Sequence, residues 1–438
     1  MAGVRRSLAI GFSIALAAVG MSAHVDAAPQ AFDPAVPPSQ TTPVQLQRNA
    51  FDRLVHSLAD NQRSVAWYDS VDDSTHLPVV GLTPAEMSAI RSTYEREMPT
   101  KLVIEVGDTS VSQLETIRDL VLARLAPYTT KDPKDVAGGR AFAGLSTDRG
   151  KSFVDLHVTP IFEATATAIL RSLSSEELAG RDASIIHVTV APLDRAENWS
   201  GPPLDSGDWI LLSPQTSASC SAGYILGPQT YWGITAGHCQ GVNNTNNTVY
   251  WTNSAGTGLL QAISPGAGWT NYTTGSNNSV ANDVTAYGVP FGSWQPYSYS
   301  VWSGVPLVRY SSTAARNVRG VRTAEANMVI GLQLCHSGWG SKAEKCGTVT
   351  GQNFQDYQYI ANGSTRTIDG VYSANYSSST GDSGGPVFWK WTYAYVGDAE
   401  PTGAHLSGPS GGGSGNRYFE TMQDIEALLG RYTVAQAA

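Results

Sequence analysis

From Asp208 to the C-terminus the chain repeats one theme: short runs of alternating apolar and polar residues, cut by Gly, Asn and Ser turns. SAGYIL, YWGITA, TVYWTN, DVTAYGV, MVIGLQL, FQDYQYI, GVYSANY and PVFWKWTYAYVG are the clearest. A period of two puts alternate side chains on one face, and many such strands in succession imply a barrel or sandwich. Only the closing stretch FETMQDIEALLGRY has helical spacing, with Met422, Ile425, Leu428 and Leu429 on one face.

The part before residue 200 reads differently. It is denser in charge and holds only two of the 11 tryptophans, so a boundary falls there. ENWSGPPLDSGDW, rich in Pro, Gly and Ser, reads as the linker. A chain of 438 residues has room for two or three domains. KLVIEVG, SFVDLHVTP and ASIIHVTVAPL have strand alternation, whereas SVSQLETIRDLVLARL, with a serine cap, and IFEATATAILRSL have helical spacing. That alternation predicts a small α+β domain. His56, His76, His157 and His187 are scattered through it and read as structural. Residues 29–43 are rich in Pro, Ala and Gln.

At the N-terminus Arg5 and Arg6 precede SLAIGFSIALAAVG, a run too short for a membrane span, and VDAAP offers small residues for signal cleavage. Residues 1–27 are therefore expected to be a signal peptide and the protein to be secreted. A net charge of -9 without a basic stripe argues against a nucleic-acid partner, and no second span argues against a membrane one. The four cysteines, Cys220, Cys239, Cys335 and Cys346, allow three pairings. The local one, Cys220–Cys239 with Cys335–Cys346, closes two short loops. Export favours disulfides over zinc, and neither metal nor cofactor is expected.

Three stretches of the β-rich half carry chemistry. GITAGHC sets His238 after an apolar strand, SVANDVTAYGV sets Asp283 at the start of another, and TGDSGGPVF sets Ser383 in a glycine-rich loop. A serine hydroxyl needs an adjacent base, histidine suits that role near neutral pH, and a buried carboxylate orients the imidazole. The loop glycines let the N–H groups of Gly381 and Ser383 face one small space, an oxyanion hole.

TAGHC and GDSGGPV resemble the histidine and serine motifs of the chymotrypsin-fold serine proteases, in particular the bacterial streptogrisin and α-lytic protease-like branch. LCHSGWGSKAEKCGTV resembles that branch's internal disulfide hairpin, and GGGSGNRYFETMQDIEALLGRY its glycine-rich substrate strand and terminal helix. The resemblance covers nearly all of residues 204–438. It implies two six-stranded antiparallel β-barrels with a C-terminal helix. His238 would be the general base, Asp283 the orienting carboxylate and Ser383 the nucleophile. Residues 28–203 would be a propeptide that assists folding and blocks the cleft until it is cut off near Leu204. The expected product is a monomeric secreted endopeptidase acting on polypeptides, with its own prodomain as the other partner.

The sequence departs from that branch at several points. A disulfide often found there would join the NYSSST stretch to about Arg417, and neither place has cysteine. The arginine that usually faces the serine-loop aspartate is replaced by His336, which is expected to face Asp382 and to make the loop pH-sensitive. The pocket floor is expected at Ser377, which is uncharged and suggests an apolar substrate residue. Ser407, Ser410 and Gly412 are the candidates along the substrate strand, and His405 beside it is a weaker pointer to acidic substrates. Two other readings compete. GDSGG also fits the nucleophile elbow of an esterase-type hydrolase, but too little chain follows Ser383 for the acid and histidine. A protease-fold binding module would retain the shape without the peptidase activity.

Overall fold

The computed structural model of the chain describes residues 50–51, 53–95, 101–130, 139–148, 150–192, 194–196, 209–211, 219–227, 231–240, 249–252, 259–263, 270–271, 283–289, 307–309, 315–318, 323, 325–338, 340–341, 343–361, 364–390, 399–409, 415–429 and 433–434. The expected signal peptide, the cleavage point near Leu204, and Ser410 and Gly412 lie outside them. In order, the first half forms β1 (Trp67–Asp69), β2 (Ser74–Val79), α1 (Pro84–Tyr94), β3 (Lys101–Val106), α2 (Val111–Leu125), β4 (Ala141–Asp148), β5 (Lys151–Val158), α3 (Glu163–Arg171), β6 (Ile186–Val190) and β7 (Asp194–Ala196).

Local chemistry explains these elements. Thr83 and Glu86 form a capping box at α1, and Ser110 and Gln113 form one at α2, so otherwise unpaired N–H groups find acceptors. Leu114, Ile117, Val121 and Leu125 recur at helical spacing on α2 and pack with Leu145, Val154 and Leu156 of β4 and β5. β2 pairs in parallel with β3, and β5 lies antiparallel to β4 and parallel to β6. The strands and helices read from the sequence here are all present.

The second half is dominated by strands. They are β8 (Trp209–Leu211), β9 (Ser219–Ser221), β10 (Ile225–Gly227), β11 (Tyr231–Ala236), β12 (Val249–Thr252), β13 (Leu259–Ile263), β14 (Thr270–Asn271), β15 (Val284–Val289), β16 (Leu307–Arg309) and β17 (Ala315–Asn317). There follow β18 (Gln333–His336), β19 (Lys345–Gln355), β20 (Tyr357–Ala361), β21 (Ser364–Ile368), β22 (Val371–Ala374), β23 (Pro386–Lys390), β24 (Ala399–Gly408), β25 (Arg417–Thr421), the helix α4 (Met422–Leu429) and β26 (Thr433–Val434).

β18, β19, β22, β25, β24 and β23 close on themselves as a six-stranded antiparallel barrel. Leu334, Val349, Ala374, Val387 and Phe419 are among the residues of its core. The barrel and the terminal helix are consistent with the chymotrypsin-like expectation. The strands before β18 do not close a second barrel among the described residues. With β26 they form a five-stranded sheet (β14-β15-β11-β10-β26), and by themselves a four-stranded sheet (β13-β12-β8-β9) and the β16–β17 pair. Tyr224, Leu226, Ile234 and Val284 of this part share a core cluster with Cys335, Phe388 and Ala404 of the barrel and with Met422 and Ile425 of α4.

Among the described residues, strand pairings tie the first half to the barrel at two places. β4 lies antiparallel to β19, with Leu145 opposite Gln352 and Ala143 opposite Gln355. β7 runs between β20 and β24, with Ala196 opposite Ser407 and Arg195 opposite Gly408. Around the first contact Phe142 meets Phe354, Tyr357 and Tyr418 edge-on. No helix among the described residues is long and apolar enough to cross a membrane.

Candidate active site

β11 and β15 are antiparallel neighbours, with Ala236 opposite Val284. This register brings His238, in the 3-10 turn Gly237–Gln240, against Asp283 at the mouth of β15. Asp283 Oδ2 lies 2.5 Å from His238 Nδ1, and Oδ1 accepts the His238 backbone N–H at 2.6 Å. The Gly237 N–H donates to Asp283 O at 2.7 Å. Both side chains are wholly buried. One carboxylate therefore fixes both the ring and the backbone of the histidine, with Nδ1 as the ring nitrogen that faces it. The Cys220–Cys239 disulfide staples β9 to the same turn, and Cys335–Cys346 bridges β18 to β19.

The serine loop is held against this pair by β9. The Ser221 N–H donates to Ser383 O at 2.8 Å, Ser221 Oγ donates to Gly381 O at 2.9 Å, and Thr235 Oγ1 donates to Ser221 O at 2.8 Å. Cys239 Sγ lies 3.9 Å from Ser383 O. Gly381 and Gly384 have φ of 97° and 83°, a region where a side chain strains the backbone. A β-carbon on Gly384 would also stand 2.2 Å from Thr235 Oγ1. Among the described residues, no acceptor takes the N–H of Gly381 or of Ser383. Ser383 Oγ donates to Leu406 O at 3.2 Å. The serine thus shares the neighbourhood of the His238–Asp283 pair, but its hydroxyl is turned to β24 rather than to the imidazole.

A second layer lies behind Asp283, and the sequence motifs gave no hint of it. The Tyr359 hydroxyl of β20 donates to Asp283 Oδ2, and Glu420 Oε1 of β25 accepts the Asp283 N–H at 2.8 Å. Burial pushes the Glu420 carboxyl well above its usual range, and the neighbouring Asp283 adds to the effect. Burial and Asp283 likewise push the Tyr359 phenol well up. Both side chains close around Asp283.

Under the serine loop, His336 Nε2 lies 3.3 Å from Asp382 Oδ2, and both are fully buried. Asp382 also accepts the backbone N–H groups of Ser379 at 2.7 Å and Ser341 at 2.8 Å, together with the Ser341 hydroxyl. Burial would raise the Asp382 carboxyl, but the bonds from His336 and Ser341 outweigh it and hold the group below its ordinary value. His405 stands 4.7 Å from His336, ring to ring, and 3.0 Å from the Tyr376 hydroxyl. Burial, then the charge on His336, lowers His405 well below the ordinary imidazole value.

Ser377, the expected pocket floor, is exposed, whereas Ser378 is buried and accepts from Arg417 Nε at 2.6 Å. Side chains alternate along an extended segment, so a shift of one residue exchanges the faces. Ser407 is buried, with its Oγ bonded to the Tyr357 hydroxyl.

No protein-family model matches the chain, and no curated protein does. Solved structures do. One is a glutamic acid specific serine protease described as using a novel histidine triad in substrate binding (20% identity, 53% of this chain and 99% of that one, TM-score 0.36). Another is Thermobifida fusca Protease A (16% identity, 54% and 100%, TM-score 0.35). A third is Nocardiopsis protease NAPase (17% identity, 53% and 100%, TM-score 0.34). At such low identity and TM-score, the chemistry has to be read from this chain's own residues.

Proposed function

We propose that the chain is the precursor of a secreted serine endopeptidase that works through His238, Asp283 and Ser383. The observation that carries this reading is the buried His238–Asp283 pair beside a glycine loop whose Gly381 and Ser383 N–H groups have no acceptor among the described residues. Those N–H groups suit the oxygen of a tetrahedral intermediate, and each such donor contributes about 3 kcal/mol in related chemistry.

In the proposed cycle Ser383 Oγ swings from Leu406 O to His238 Nε2. It attacks the scissile carbonyl carbon while its proton passes to Nε2. Asp283 stabilises the imidazolium, which then protonates the leaving amine as the C–N bond breaks. Water, deprotonated by the same imidazole, hydrolyses the acyl-enzyme and restores the serine.

β7 supports a precursor role for the first half. It lies antiparallel to β24 at Ser407 and Gly408, the strand that would receive a peptide substrate. A chain folded this way blocks its own cleft, and a cut beyond β7, with the expected point near Leu204, would release it. Two disulfides fit an oxidising destination.

The orientation of Ser383 Oγ toward Leu406 O favours one other reading, a protease-shaped binding module. Labelling by a serine-directed fluorophosphonate separates the two. The processed protein should take label at Ser383 and Ser383→Ala should not. Correctly processed protein that takes no label would leave the binding module standing.

A further inference from the structure

Arg417 opens β25, and its side chain is wholly buried. Its Nε donates to Ser378 Oγ at 2.6 Å and its Nη1 to Gly415 O at 3.0 Å. Ser378 lies on the segment leading into the serine loop, and Gly408 ends β24. A β-carbon on Gly408 would stand 2.1 Å from Arg417 Cδ and 2.6 Å from Nε, so the arginine stem runs close beneath that glycine. Gly408 is also where β7 pairs, through Arg195, with Ala196 opposite Ser407. A guanidinium is thus built into the wall between the approach to the nucleophile and the edge on which a peptide strand lies.

Such a wall does not suit an apolar side chain. Arginine keeps its charge at every working pH, and its planar fork matches a carboxylate. The uncharged Ser377, from which an apolar preference was expected, faces solvent and leaves the inner position to Ser378 and Arg417.

We propose that Arg417 makes the primary specificity pocket a receptor for a carboxylate, so that the enzyme cuts after Glu or Asp. The proposal rests on the protease reading above and adds its substrate class.

The test uses the enzyme recovered after its own processing, with matched peptide anilides ending in Glu, Gln or Leu. Glu should exceed Gln in kcat/KM by about ten- to a hundredfold, the range for a hydrogen bond to a charged group. The preference should persist at about pH 9, where histidines are neutral and arginine is not. Arg417→Met should bring Glu and Gln to parity while Ser383 still takes the fluorophosphonate label. If Arg417→Met does not fold, the wild-type ratio and its pH profile decide.

A wild-type preference for Leu or Gln overturns the proposal, as does a Glu preference retained in Arg417→Met. A Glu preference that fades as the pH passes the histidine range overturns it as well and transfers the role to His405. If Ser383 takes no label and no peptide is cut, the protease reading itself falls, and the preference with it.

Discussion

Asp283 has more to do than orient one imidazole. Its Oδ2 receives both His238 Nδ1 and the Tyr359 hydroxyl, its Oδ1 receives the His238 N–H, and its own N–H is held by Glu420. A buried carboxylate held by these bonds is fixed in place. Tyr359→Phe removes one donor and little volume. Hydrogen bonds to charged groups are worth about 1.5–3 kcal/mol, so kcat should fall about ten- to a hundredfold. KM should change little, because the hydroxyl meets no substrate. Steady-state kinetics checks this, and an unchanged kcat would reduce Tyr359 to packing. Neither Tyr359 nor Glu420 could be picked out from the sequence. Both sit in ordinary strand alternation, and only closure of the barrel brings them to Asp283. His238, Asp283 and Ser383 could be singled out because each stands beside turn-forming glycines or at a strand end, and the structure brings His238 and Asp283 together. Arg417 was legible only as a missing cysteine, since its charge gains meaning from the neighbouring Gly408.

At the level of elements, the β4–β19 pairing is one of the places where the two halves meet. Gly144 sits in β4 where a β-carbon would stand 2.5 Å from Phe354 Cγ. Gly144→Val forces that ring aside, and overpacking of this kind costs about 1–3 kcal/mol. The yield of folded, fluorophosphonate-reactive enzyme should drop, and a yield equal to wild type would show that the contact is dispensable. The strands themselves were largely predictable: Ser110 caps α2 as expected, and the β5 and β6 alternation matches their pairing. The β7 strand and the β4–β19 register were not. Asp194–Ala196 is too short for a periodic signal, and a cross-half register depends on contacts far apart in sequence.

Across the whole molecule, the two halves meet over a charged hollow. A cavity of about 370 Å3 is lined by Asp60, Arg63 and Glu115 from one side and by Glu325, Asn353 and Gln423 from the other. Burial raises the Glu115 carboxyl above its ordinary value, while the charge of Arg118 partly opposes this. A raised carboxyl contributes stability that is complete below its unfolded value, about 4.3, and is lost as pH rises through the folded value. The junction should therefore loosen toward neutral pH. Glu115→Gln, which cannot ionise, should raise Tm of the full chain at about pH 7 and leave it unchanged near pH 4. Melting curves at the two values check the sign, and an equal effect at both would remove ionisation from the explanation. A different consequence follows from the Cys220–Cys239 staple, which lies one residue from His238, the proposed proton acceptor. In any compartment that keeps thiols reduced, that staple never forms, and the imidazole loses the tether that fixes its turn. On the proposed reading, a cell making this protein is guarded from premature digestion twice over, by the β7 plug proposed for the cleft and by the redox state of its own interior.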